Sequence, residues 1–370
     1  MVWEQLTDHL EVLYGAVAAL VIVLLLTPAV GSAARYLRLV ERRAEGERDR
    51  PSVPRFGGLA MFLGVIVPSV AFLPLSGAMK GIVLGAAVAT TVGAIDDFRV
   101  LPWWQKLGGQ LLAAAIPTGF GVYVQRFTFP FLGRQAVPTW LGAGVTVLGI
   151  VAVMNMVNFL DGLDGLAAGV CAISGATFSV IELDYGRVAP AVLAAIVCGA
   201  CLGFLRHNFY PARIFMGDSG ALLLGYTLAT ISVQGLLKTA ALATLVLPLL
   251  VLAVPVLDTS FVVAKRLKSG QPIYMPDARH LHHRFMRIGF SQRRAVVYLW
   301  TWCGTLALAA LATRFAPPHH HGHWSMTNVA VDVAAGVVAV AFSLYVVYLL
   351  EIVKLASPRA RRREAERNAA

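Results

Sequence analysis

Apolar runs of about 20 residues recur from Val12 almost to the C-terminus, and each is long enough to cross a hydrocarbon core as an α-helix. Eleven are legible, near 12–34, 57–76, 79–95, 106–122, 139–158, 166–182, 188–206, 219–235, 239–264, 295–313 and 328–353. With 58% hydrophobic and 14% charged positions, the chain lacks the polar surface that a water-soluble globule of its length needs. No repeat of 20–50 residues and no long low-complexity linker interrupts the pattern. The reading is therefore an all-α fold, a polytopic membrane helical bundle of about 11 transmembrane helices. Residues 1–353 form a single integral-membrane domain, and residues 354–370 form a basic tail.

The first run follows Glu4, Asp8 and Glu11, without the basic start or small-residue cleavage site of a signal peptide, so it is expected to remain. A net charge of +11 could point to nucleic acid, but the basic residues are dispersed over alternate loops. With the first loop inside, 25 of the 31 Lys and Arg residues fall on the inner side and six on the outer. That places the N-terminus outside, and the C-terminal tail and the polar loops in the cytoplasm, with the bilayer as partner and no nucleic acid. Cys171, Cys198, Cys201 and Cys303 all sit in apolar runs, where they read as small buried residues rather than a disulfide or zinc framework. The outer cluster His319, His320, His321 and His323 has no carboxylate or Cys beside it and is not taken as a metal site.

Five carboxylates gather at the inner ends of separate hairpins: Asp96 and Asp97, Asp161 and Asp164, and Asp218. Any one of them alone reads as a helix cap. Five together need a positive partner, and a hard divalent cation with oxygen ligands is the economical one. The stretch from Asn155 through Asn158, Asp161 and Asp164 spaces its polar residues by threes, and Gly162 and Gly165 leave room for close approach of a ligand to the backbone. Phe215-Met216-Gly217-Asp218-Ser219-Gly220 puts an acid at a helix start. Its G-D-S-G letters also surround a protease serine, a reading that the membrane-helix setting discounts. The long inner loop supplies the cations Arg279, His280, His282, His283 and Arg284, suited to phosphate. The first loop adds Arg48, Arg50 and Arg55 before Gly57 and Gly58, arginines that could contact substrate and that topology alone would also require.

Four motifs in this order carry a resemblance: Asp96-Asp97 with Leu101, Lys106 and Gln110; Asn155 to Gly169; Gly217 to Gly225; and His280-Leu281-His282-His283. Together they resemble the polyprenyl-phosphate N-acetylhexosamine-1-phosphate transferases. The resemblance implies a bacterial cytoplasmic (inner) membrane enzyme, multi-pass, with bound Mg²⁺ or Mn²⁺ in its place. It implies attack by a polyprenyl phosphate, undecaprenyl or decaprenyl, on a UDP-N-acetylhexosamine, releasing UMP and starting a lipid-linked envelope glycan. A homodimer follows by analogy only. The loop Tyr274 to His283 looks like the branch that primes linkers and O-antigens, whose donor is usually UDP-GlcNAc. The alternative branch is phospho-N-acetylmuramoyl-pentapeptide transferase, which usually carries three consecutive histidines there. Pro51-Ser52-Val53-Pro54-Arg55 departs from the family, with Arg and Val where relatives often show Lys and Thr.

By motif position, Asp218 and Asn158 are the expected metal ligands, and Asp96, Asp97 and Asp218 the catalytic acids. Asn155, Asp161, Gly162, Asp164 and Phe215 are expected on the substrate, with Phe215 stacking on uracil. Arg279, His280, His282 and His283 would hold the diphosphate, and Lys106 would offset charge beside the acid pair. An acceptor phosphate is already mostly dianionic near pH 7, with a second pKa of about 6, so Asp97 is expected to position rather than deprotonate. Direct in-line attack is preferred to a phospho-enzyme on Asp218. A transporter or flippase is the reading from another class; it would place acids near the bilayer midplane rather than at the inner boundary.

Overall fold

A computed structural model describes residues 2–37, 53–75, 77–129, 133–235, 256–257, 266, 285, 289–316, 319–320 and 323–349. Helix forms where the apolar runs lie, because a backbone in hydrocarbon must satisfy its own polar groups. A short α1 (Val2–Asp8) leads into α2 (Glu11–Tyr36), α3 (Gly57–Phe72), α4 (Gly77–Phe98) and α5 (Trp103–Gly119). A two-stranded antiparallel hairpin follows, β1 (Arg126–Phe129) against β2 (Gly133–Ala136), with Arg126 opposite Ala136. Next come α6 (Thr139–Leu160), α7 (Leu166–Asp184), α8 (Val188–Asn208) and α9 (Gly217–Gly235). The described chain closes with α10 (Gln292–Phe315), the small pair β3 (His319–His320) and β4 (His323–Trp324), and α11 (Met326–Leu349).

Ten of the eleven expected runs coincide with α2 to α11. The ninth, 239–264, lies outside the described residues apart from Val256 and Leu257, as does the tail 354–370. Seven helices, α2, α4, α6, α7, α8, α10 and α11, are long and apolar enough to cross a membrane, and α3 is a shorter apolar helix. The chain is a multi-pass, all-α membrane protein. Helices α5 and α9 fall below that measure, and their first turns carry Lys106 and Asp218 respectively. The β hairpins are an addition to the expected all-α pattern. The first lies between α5 and α6, where Arg126-Phe-Thr-Phe alternates in the manner of a strand.

Helices α7, α8 and α9 form the centre, with Phe178, Ile196, Phe204 and Tyr226 fully buried. Helices α2 and α3 pack on α8, while α4 and α6 flank α9. The α2–α8 contact is close because α8 presents Gly199 and Gly203. A Cβ at these positions would stand 2.0 Å from the Ala16 carbonyl oxygen and 2.5 Å from that of Leu20, the small-residue spacing that lets membrane helices approach. Hydroxyls within the apolar helices turn back onto their own backbone, Thr27 onto Val23 at 2.6 Å and Ser69 onto Val65 at 2.7 Å, so these buried donors are satisfied within their own helices.

Helix α10 packs on α7 and α11, around Leu299, Trp302 and Leu306. The Trp302 indole donates to Ser343 Oγ at 2.8 Å and ties α10 to α11. At the C-terminal end of α7 Asp184 pairs with Arg314, whose guanidinium lies 4.1 Å from the Tyr185 ring centre. Leu25, Leu148, Val337 and Leu344 are exposed, as expected of side chains solvated by lipid rather than water.

Candidate functional site

The expected acids meet at one end of the bundle, and the chain segments that bring them there are stitched by backbone bonds. Segment 54–58, which leads into the first turn of α3, runs parallel to residues 215–216, just before α9. Phe215 N–H donates to Pro54 O at 2.9 Å, Gly57 N–H to Phe215 O at 3.0 Å and Gly58 N–H to Met216 O at 2.8 Å. A second stitch joins the turn after α6 to the turn after α8. Gly165 N–H donates to Asn208 Oδ1 at 2.9 Å, the Asn208 amide donates to Ile214 O at 3.0 Å, and Ala212 N–H donates to Asp164 at 2.9 Å.

Asp97, at the end of α4, closes the start of α9. Its Oδ1 accepts from Asp218 N–H at 2.7 Å, and its Oδ2 from Ser219 N–H at 3.0 Å and Ser219 Oγ at 2.7 Å. The carboxylate thus caps another helix's exposed N–H groups, where the helix dipole also favours negative charge. The fit leaves no slack. Gly217 has φ +72° and a Cβ there would meet the Asp97 carboxylate at 2.5 Å, while a Cβ on Gly93 would stand 2.5 Å from the Asp218 carbonyl.

Asp218 is held from two sides. Asn158 Nδ2, on α6, donates to its Oδ1 at 2.5 Å, and Lys106 Nζ, on α5, donates to its Oδ2 at 2.5 Å. The same ammonium lies 2.9 Å from Asp96 Oδ2, and Asp96 Oδ1 accepts from Leu101 N–H at 2.7 Å. Repulsion among these acids is therefore offset within the protein, by Lys106 and by the N-terminus of α9. The sequence reading gave that task to a divalent cation, with Lys106 offsetting charge beside the acid pair; the N-terminus of α9 is a further contributor.

In front of Asp218 opens a cavity of about 350 Å³, lined by Asp97, Asn158, Asp161, Gly162, Asp164, Phe215 and Asp218 from the expected set, with Arg55, Leu163, Asn208 and Gly217. Asp161 stands in the turn after α6. Burial, and then the charges of Asp218 and Asp97, hold its carboxyl well above the usual carboxylate range. Arg55 acts in the opposite sense. A positive ligand in this cavity would act in the same sense as Arg55.

Three expected residues, Asn155, Lys106 and Asp96, stand apart from the cavity lining. Asn155 pairs with Gln110 across α5 and α6, its amide donating to Gln110 Oε1 at 2.7 Å and to Val151 O at 2.8 Å. Lys106 lies on the other side of Asp218, with Asp96. Arg279, His280, His282 and His283 lie outside the described residues. Sequence reasoning passed over Asn208, named Ser219 only within its motif, and left Arg55 open between substrate contact and topology. An amide in the polar last turn of α8, after Arg206 and His207, was the available signal for Asn208. Nothing local marked the other two, whose partners are distant in sequence.

The donor set is one of hard oxygens. Among the described residues no three His, Cys, Asp or Glu side chains come together as a metal cage. Mg²⁺ is commonly held by one or two carboxylates with water and substrate phosphate, so Asp218 beside an open, acid-lined cavity fits such an ion.

Residues 79–236, which run from the first turn of α4 through α9 and hold every described acid of the site, match the model of glycosyl transferase family 4. The chain is 35% identical over 308 residues to the probable undecaprenyl-phosphate N-acetylglucosaminyl 1-phosphate transferase of Bacillus subtilis (strain 168), covering 83% of this chain and 86% of that protein. It is 37% identical over 295 residues to the decaprenyl-phosphate N-acetylglucosaminephosphotransferase of Mycobacterium tuberculosis (strain ATCC 25618 / H37Rv), covering 72% and 73%. A phospho-N-acetylmuramoyl-pentapeptide-transferase of Desulforudis audaxviator (strain MP104C) is 33% identical over 337 residues, covering 82% and 98%. The chain belongs to glycosyl transferase family 4. It is a transferase.

Proposed function

We propose that this protein transfers N-acetylglucosamine 1-phosphate from UDP-GlcNAc to a polyprenyl phosphate, undecaprenyl or decaprenyl, on the cytoplasmic face of a bacterial inner membrane. The observation that carries the reading is Asp218 at the mouth of an acid-lined cavity, held by residues of α4, α5 and α6. The more similar relatives, transferases of N-acetylglucosamine phosphate by name, favour that donor over the muramoyl-pentapeptide one. The charge bias of the loops supports a cytoplasmic site, an outer N-terminus and an inner tail.

In this reading an oxygen of the acceptor phosphate attacks the sugar-bearing phosphorus of the donor. The bond from that phosphorus to the bridging oxygen breaks, and UMP leaves with the bridging oxygen. Mg²⁺, or Mn²⁺ in its place, would be held by Asp218 and by Asn158, whose amide would turn its oxygen inward; when bound it supplies charge to the departing phosphate. Asp97 positions Asp218 by fixing the first turn of α9. Lys106 neutralises the paired acids Asp96 and Asp218, and Arg55 offers a guanidinium to a phosphate at the cavity. Phe215 presents a ring to the uracil, while Asp161, Gly162 and Asp164 shape the nucleotide side. Arg279, His280, His282 and His283 are assigned to the diphosphate. Asp164 spends an oxygen on Ala212 N–H, so it positions the turn rather than moving a proton.

The test is a panel of labelled UDP-sugars with polyprenyl phosphate, in the purified protein with Mg²⁺ or with chelator. Lipid-linked GlcNAc phosphate and UMP should form only with UDP-GlcNAc and Mg²⁺. Transfer from UDP-N-acetylmuramoyl-pentapeptide instead would move the protein to the other branch, and undiminished transfer in chelator would remove the metal.

A further inference from the structure

Lys106 does more than balance charge. Its ammonium sits between Asp96 Oδ2 at 2.9 Å and Asp218 Oδ2 at 2.5 Å, and Asn158 takes the second oxygen of Asp218. Both oxygens of Asp218 are thus engaged by donors, and a cation arriving from the cavity can ligate this carboxylate only by competing with one of them. Asn158 is neutral and can reorient in place. Lys106 carries the same sign of charge as the newcomer, in a site where water screens little: its side chain is 20% exposed and that of Asp96 9%. Asp96 is itself anchored, through Oδ1 to the Leu101 N–H, so it stays where it is when the ammonium shifts. Neither Asp96 nor Lys106 is among the residues lining the cavity.

We infer that Lys106 and the divalent cation compete for Asp218, and that Asp96 is the berth onto which the ammonium withdraws when the cation binds. This rests on the metal-dependent reading above. Lys106 keeps Asp218 neutralised and correctly placed in the empty enzyme, and it sets a low affinity for metal until substrate phosphates add their own oxygens. Asp96 then acts as a positioning residue for the ammonium rather than as a ligand or a base.

Two competing cations have a signature that mere structural support does not. Lys106→Met should bind Mn²⁺ about tenfold more tightly than wild type in the absence of substrate, although its turnover falls. Asp96→Asn keeps an oxygen for the Leu101 N–H but loses the charged berth, so it should bind Mn²⁺ about tenfold more weakly. In the Lys106→Met background the same Asp96→Asn change should cost about twofold or less, because no ammonium is left to displace. The measurement is Mn²⁺ binding to the substrate-free protein in nanodiscs, by electron paramagnetic resonance of the free ion. Unchanged or weaker binding by Lys106→Met overturns the competition, and an equal Asp96→Asn penalty in both backgrounds overturns the berth. If Mn²⁺ binds to none of the four proteins and transfer proceeds in chelator, the metal reading itself has failed, and the competition with it.

Discussion

Asp97 shows how a side chain's work can be hidden at the residue scale. A pair of acids at a helix end reads equally as catalysts or as caps, and the local sequence contains nothing to decide between them. The answer lies 121 residues away, where the N–H groups of Asp218 and Ser219 and the Ser219 hydroxyl all point at one carboxylate. An asparagine there keeps one acceptor and turns an NH₂ toward a donor, at a cost of about 1–3 kcal/mol. Asp97→Asn should lose activity to the same extent from pH 6 to pH 9, and Ser219→Ala, missing one neutral bond worth about 1 kcal/mol, should show a smaller loss. Pre-steady-state rates across that pH range check this. Recovery of most Asp97→Asn activity at pH 9 would restore the general base. Asn155 teaches the same lesson in reverse: its place in a polar row pointed to substrate, but Gln110 from the next helix takes its amide.

Among the elements, the helices were legible because the bilayer imposes one requirement, a long apolar run, that a sequence displays directly. Their meeting points were not. The first turn of α9 touches α4 through Gly93 and α3 through Gly58, glycines that sit inconspicuously in apolar runs and whose need for close approach appears only when two backbones face each other. The neighbour of Gly93 is backbone, which cannot swing aside. Gly93→Ala should therefore push α9 off its cap, cost about 1–3 kcal/mol, and reduce transfer far more than the loss of stability would suggest. Gly144→Ala on α6, with open space around it, should leave both unaltered. Thermal unfolding in detergent alongside the transfer assay makes the comparison. Equal activity of the two variants would show that the seating of α9 does not control the site.

For the whole molecule, charge bias and hydropathy were enough to read a multi-pass bundle with its polar motifs at one end. Four of those motifs also carried the resemblance to the transferases, a family that the matched residues 79–236 and the relatives then established. The sequence could not display the cavity, because its wall is assembled from the segment before α3, the end of α4, the end of α6 and the turn after it, the end of α8 and the start of α9. Arg55 belongs to that wall through backbone pairing with residues 215–216, a contact between stretches 160 residues apart. Asp218 is where these segments converge, and its carboxylate is the group on which the assigned chemistry turns. The most direct measurement is Mg²⁺-dependent transfer from UDP-GlcNAc added to sealed inside-out membrane vesicles, comparing wild type with Asp218→Asn at equal protein levels. The account predicts transfer by wild type and a loss of at least about a hundredfold in the variant, and wild-type rates in Asp218→Asn vesicles would contradict it.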